Sequence, residues 1–148
     1  MTPSPAIIIA DDDQDDRLLL QEAFNHIKIP NPVYFTENGI ELLQMLEQND
    51  YHHAQKTGLI LLDLNMPMKN GFEALKEIKS NEQLMHIPTV IYTTSSLEED
   101  IISSYRHGAN AYIIKPHSFQ AILDIVVTVY KFWFSYSKMP YQQMIKTF

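Results

Sequence analysis

Cysteine is absent from the 148 residues. That excludes a disulfide framework, a cysteine-ligated zinc site, an iron–sulfur cluster and thiol catalysis. Glycine (4) and proline (8) are sparse while aromatics reach 11%, which argues against disordered or collagen-like chains. Long apolar runs are missing too. The longest covers five residues, Ala6–Ala10, against the ~20 that a membrane-crossing helix needs. The opening Met1 to Pro5 has neither the charged nor the apolar region of a signal peptide, so a cytoplasmic location is expected and no membrane partner. Basic residues are outnumbered, with 11 Lys and Arg against 18 Asp and Glu and a net charge of −7. Nucleic acid is therefore not an expected partner, because phosphate contacts need cations.

What remains is a chain of single-domain length that buries enough surface to fold without a staple. Its acids are unevenly placed: five fall within residues 11–16, and none follows Asp124. Short apolar runs alternate with helical periodicity. Strands are predicted at Ala6–Ala10, Val33–Thr36, 59–64, Thr89–Thr93 and Ala111–Ile114. Helices are predicted over 18–27 and 40–46, around Phe72, Leu75 and Ile78, over 101–105 and in the segment after Ser118. That last segment holds the β-branched run 125–129. Its polar residues Gln120, Asp124, Thr128, Lys131 and Ser135 nevertheless recur at three or four, which only a helix aligns. Phe132, Trp133 and Phe134 cannot all face inward on it. The stretch 49–58, with His52 and His53, reads as a long loop whose histidines are solvated.

Five strands alternating with five helices give an α/β fold: a doubly wound, five-stranded parallel sheet with helices on both faces. Ligands of such sheets bind beyond the carboxyl ends of the strands. Four polar sets stand there: Asp11, Asp12 and Asp13 after the first strand, Asp63 after the third, Thr93, Thr94 and Ser95 after the fourth, and Lys115 before Pro116 after the fifth. Grouped carboxylates raise one another's pKa unless a cation joins them. An all-oxygen set with room for water suits Mg²⁺. Lysine offers a phosphate a point charge, threonine a hydroxyl, and a carboxylate can attack phosphorus. Asp13 or Asp15 would also cap a helix, Asp15 and Asp16 would compensate the charge of its amino end, and Asn65 and Pro67 would serve a turn.

With these residues in view, the sequence resembles the receiver domain of bacterial two-component response regulators. The resemblance rests on Asp11-Asp12, on Leu62-Asp63-Leu64-Asn65-Met66-Pro67 with Gly71, on Thr93-Thr94-Ser95-Ser96, on Tyr112 and on Lys115-Pro116. It extends over about residues 6–136, leaving 137–148 as a C-terminal tail with no output domain expected. It implies the strand order 2-1-3-4-5, and a phosphoryl group accepted on Asp63 from a histidine kinase or histidine phosphotransfer protein. It implies Mg²⁺ held by Asp12, Asp63 and the carbonyl of Asn65, with Asp11 sharing the role. Lys115 and Thr93, with Thr94 in the switch segment, would bind or sense the phosphoryl group. Tyr112 would move inward and repack the surface of helix four, strand five and helix five for a downstream protein. Asn65 and Ser95 would tune the phosphoryl lifetime, and the Lys115–Pro116 bond would be cis. The chain is similar to stand-alone regulators that serve sensor kinases, phytochrome kinases among them. A homodimer through helix four, strand five and helix five, or through the aromatic segment with Phe132, Trp133, Phe134, Tyr136 and Tyr141, is a further expectation.

Such a protein would be a signalling switch rather than an enzyme. An aspartate-nucleophile phosphatase would need a second acid two residues after the nucleophile, where this chain has Asn65. A flavin carrier would need a hydroxyl- or glycine-rich phosphate loop where Asp11, Asp12 and Asp13 stand. A degenerate receiver that only binds would be expected to lack some of these groups.

Overall fold

A computed structural model describes residues 4–48 and 57–140. Its elements run β1 (Ala6–Ala10), α1 (Gln14–Ile27), β2 (Val33–Thr36), α2 (Gly39–Glu47), β3 (Thr57–Leu62), α3 (Gly71–Ser80), β4 (Thr89–Thr93), α4 (Glu98–Arg106), β5 (Ala111–Ile114) and α5 (Phe119–Lys131). A π-helical turn, Phe132–Tyr136, continues α5. All pairings are parallel and the order is β2-β1-β3-β4-β5, as expected.

The central strands β1, β3 and β4 are buried throughout and largely apolar because both sheet faces are covered. Side chains alternate between those faces. Ile8, Ala10, Ile60, Leu62 and Ile91 pack with Leu42, Leu46, Leu75 and Ile78 of α2 and α3. Ile7, Ile9, Leu59, Leu61, Val90 and Tyr92 pack on the other face with Leu20, Phe24, Ile122 and Val126 of α1 and α5. Each fully buried aliphatic side chain contributes about 1.5–3 kcal/mol relative to its exposed form.

Several boundaries differ from the sequence reading. Helix α1 begins at Gln14 rather than Leu18, because Asp13 caps it through a bond from Asp16 N at 3.0 Å and its first turn is wholly polar. Apolar periodicity cannot register such a turn. Strand β3 ends at Leu62. Asp63 and Leu64 therefore begin the following loop, with Asp63 N still donating to Ala10 O at 2.9 Å. Thr57 and Gly58 belong to β3, while the rest of the expected 49–58 loop lies outside the described residues, as does Tyr141. The Lys115–Pro116 peptide is trans, contrary to expectation, as are all those described; trans is the lower-energy isomer of an X–Pro bond.

The β-branched run of α5 is helical, as periodicity required. Trp133 and Phe134 pack against the α1–α5 side of the core, and Phe132 stays exposed. Phe134 stacks on Tyr130 with centroids 5.0 Å apart. A Cβ built on Gly58 would lie 2.7 Å from both the Phe134 ring and Pro5, which explains glycine there.

Candidate functional site

The strand order brings the loops after β1, β3, β4 and β5 to one edge of the sheet, and the expected polar residues meet there. Asp11 follows β1 and is 1% exposed; Asp63 follows β3 and is 6% exposed. Asp12, beside them, is exposed. One carboxylate oxygen from each of Asp11, Asp12 and Asp63 lies within 4.8 Å of the others, a set able to hold a metal ion.

Lys115 reaches this cluster from the end of β5, where its N–H donates to Thr93 O at 2.7 Å. Its Nζ lies 2.8 Å from Asp11 Oδ2, 2.9 Å from Asp63 Oδ2 and 2.7 Å from Asp16 Oδ2. It also stands 5.9 Å from the centre of the Tyr92 ring. Burial pushes the ammonium pKa down, but the three surrounding carboxylates outweigh it and hold the pKa above the usual lysine range. Asp11 moves the other way for a different reason. Burial outweighs the help of Lys115 and of the Asp13 N–H, and its carboxyl is pushed up to about 6. A divalent cation would relieve that cost, because the charged form would gain a partner of opposite sign.

The loop after Asp63 is shaped by one close approach. A Cβ on Gly71 would fall 2.1 Å from Asp63 O and 2.7 Å from Leu64 Cα. Glycine at the start of α3 lets the helix close onto the Asp63 backbone, with Gly71 N donating to Leu64 O at 2.9 Å. Met68 completes the turn in the left-handed region, φ 66°. Asn65 is exposed, and its N–H points to Asp63 Oδ1 at 3.4 Å.

Thr93 ends β4 with its hydroxyl fully buried and without a hydrogen-bond partner among the described residues. Such a group costs about 1–3 kcal/mol, which a phosphoryl oxygen would relieve. Thr94 is exposed. Ser95 is engaged elsewhere: its hydroxyl donates to Asp100 Oδ2 at 2.5 Å and accepts from Leu97 N at 3.3 Å, organising the start of α4. The Tyr112 hydroxyl donates to Ser95 O at 2.9 Å, so this half-buried ring already joins β5 to the loop before α4.

Two contributors were not identified as site residues from sequence. Asp16, which its place in the chain assigns to helix charge compensation, bonds Lys115. Arg17 holds Asp11 in place, its Nη1 donating to Asp11 O at 2.7 Å. Neither contact has a signal in local spacing, since only the folded arrangement brings Asp16 and Lys115 together.

The comparisons with known proteins agree with this geometry. The response regulator receiver domain pattern matches residues 7–127. Response regulator Rcp1 of Synechocystis sp. is 34% identical over 139 residues, covering 93% of this chain and 95% of Rcp1. Among solved structures, the phosphorylated cyanobacterial phytochrome response regulator RcpA superposes with a TM-score of 0.85 at 37% identity, covering 93% of this chain and 99% of that one. The Mn²⁺-bound form of Rcp1 gives 0.79 at 33% identity, covering 92% and 99%. The chain belongs to the response regulator receiver family of two-component signalling.

Proposed function

We propose that this receiver is a phosphorylation-driven switch in which Asp63 accepts a phosphoryl group from a histidine kinase or histidine phosphotransfer protein. The observation that carries the reading is the buried Asp63 carboxylate. It shares Lys115 with Asp11 and sits in the oxygen cluster with Asp11 and Asp12. An Asp63 oxygen attacks phosphorus, and the bond from phosphorus to the donor's imidazole nitrogen breaks. The electron pair stays on that nitrogen, and an acyl phosphate remains on Asp63. Such transfers ask mainly for positioning and charge neutralisation.

Mg²⁺ would be held by Asp11, Asp12 and Asp63 with the Asn65 carbonyl, and would supply charge neutralisation at the phosphoryl oxygens. That donor set is all oxygen, and a Mn²⁺-bound relative is among the similar structures. Lys115 offers its ammonium to the new anion. The Thr93 hydroxyl, buried and free to donate, offers the second contact. Asn65, whose N–H points to Asp63 Oδ1, and Ser95 in the loop after β4 are the positions that set how long the group lasts. The added charge, near −2, draws Thr93 and its loop. Through Ser95 O that loop is bonded to Tyr112, so the α4–β5–α5 surface changes for a downstream protein. The protein turns over no separate substrate in this reading.

Likeness to a phytochrome response regulator supports a sensor kinase as donor. The test is intact mass after incubation with a small phosphodonor and Mg²⁺. One phosphoryl group should add to the wild type and none to Asp63→Asn. Absence of the adduct under all conditions would leave only a binding module, and its persistence in Asp63→Asn would move the acceptor elsewhere.

A further inference from the structure

Four helices of this fold carry an acid at the third helical position, Asp16, Glu41, Glu73 and Asp100, and they use it differently; Asp100 of α4 accepts from the Ser95 hydroxyl in the loop before it. That position ordinarily folds back to the backbone N–H at or near its own helix cap. Glu73 of α3 does so, accepting from Asn70 N at 3.2 Å. Glu41 of α2 also reaches back, to Glu37 N at 3.2 Å. Asp16 of α1 does not. The Asp13 N–H that it would have served donates to Asp11 Oδ1 instead, at 2.9 Å. Asp16 Oδ2 accepts from Lys115 Nζ at 2.7 Å, across 99 residues of sequence.

An ammonium has three N–H donors; here it hydrogen-bonds Asp16 and Asp63 and pairs with Asp11 Oδ2 at 2.8 Å. Two of those carboxylates, Asp11 and Asp63, belong to the oxygen cluster fit for a cation, and Asp16 lies outside it. When a cation and a phosphoryl group engage Asp11 and Asp63, Asp16 is the partner that lysine keeps. A long flexible stem needs such an anchor, because lysine carries much rotamer freedom.

We infer that Asp16 is a positioning residue for phosphoryl transfer, holding the Lys115 ammonium over Asp63 through a contact that neither metal nor phosphoryl group displaces. This rests on Asp63 being the phospho-acceptor. The role is one of position rather than charge, so the two obvious variants separate. Asp16→Asn keeps an oxygen acceptor for the ammonium, and Asp16→Ala removes it; both lose the same charge. The α1 cap is intact in both, since it uses Asp16 N and the Asp13 side chain.

The experiment follows adduct formation against phosphodonor concentration in Mg²⁺, at a temperature where thermal melts show every variant folded. It is paired with NMR of the Lys115 ammonium in metal-free protein. The plateau rate is expected to fall about five- to tenfold in Asp16→Ala and to stay within about twofold in Asp16→Asn. Any change in half-saturation should be common to both, because it follows charge. The slowly exchanging ammonium signal should be visible in wild type and Asp16→Asn and lost in Asp16→Ala. Equal plateau rates in the two variants, or an ammonium signal that survives Asp16→Ala, would overturn the inference. If the wild type takes no phosphoryl group, the acceptor assignment fails instead, and the ammonium signal alone then decides the role of Asp16.

Discussion

The Asp63 end of the sheet and its α4–β5 edge are neighbours, yet they are built to opposite standards. At the first, Asp11, Asp63 and Lys115 are buried and bound to one another, and the Asp63 backbone is clamped between Ala10 and Gly71. At the second, α4 buries only Ser104, while Leu97, Ile102, Tyr105 and Ile114 stand 43–57% exposed. Helix α4 also lacks a side-chain cap on Leu97. A rigid site can place a phosphoryl group, and a lightly packed edge can change shape at small cost in free energy. Besides the β4–β5 ladder, the Lys115 N–H on Thr93 O and the Tyr112 hydroxyl on Ser95 O join the two.

The largest effect expected from this contrast is at Gly71. Alanine there would press on Asp63 O and Leu64 Cα, atoms of backbone that cannot yield. Urea unfolding should show a loss of about 4 kcal/mol, with adduct formation lost alongside. Gly108→Ala, just past α4, meets φ +99° and the Lys79 stem, a side chain rather than backbone, whose amine is held by Met85 O, Ile87 O and Asn110 Oδ1. It should cost only about 1–2 kcal/mol. A Gly71→Ala protein as stable as wild type would show that the clamp does not exist.

Core and edge should differ likewise. Ile8, wholly buried in β1, should cost about 2–4 kcal/mol as alanine. Ile102→Ala, on the exposed face of α4, should stay within about 0.5 kcal/mol. Its effect should appear instead in binding of the downstream partner. Equal losses in unfolding would mean that α4 is packed as tightly as the sheet.

A smaller effect sharpens the electrostatics of the site. Asp11, pushed up to about 6 by burial, binds its proton more tightly folded than unfolded. Between its ordinary pKa near 4 and 6, this group therefore adds stability as pH falls, and withdraws it as pH rises. Metal binding needs the ionised form. Titration calorimetry should find Mg²⁺ affinity about tenfold weaker at pH 5 than at pH 7. A flat profile would mean that Asp11 is ionised throughout and that burial does not govern it.

How much of this was legible in the sequence follows the same division. Strands β1 and β3 announced themselves because burial on both faces leaves unbroken apolar runs. The placement of Asp63, Thr93 and Lys115 on one edge was legible because a parallel sheet gathers the loops at the carboxyl ends of its strands. The first turn of α1 was missed, since residues 14–17 are polar and held by a cap rather than by burial. Asp13 proved to be a cap while Asp11 and Asp12 joined the acidic cluster, so the structural and functional readings of that run both apply to different residues. The π-helical turn at Phe132–Tyr136 has no local signature, as it follows from seating Trp133 and Phe134 on the core. The Asp16–Lys115 contact could not be read, because it depends on how α1 packs against the end of β5.

Hydrogen exchange by mass spectrometry, on the wild type before and after phosphorylation in Mg²⁺, tests the central claim most directly. The account expects protection to change from the loop after β4 through α4 and β5, residues 93–114, while β1 and β3 keep theirs. A phosphorylated protein whose exchange is unchanged at that edge, or altered evenly across the sheet, would contradict it.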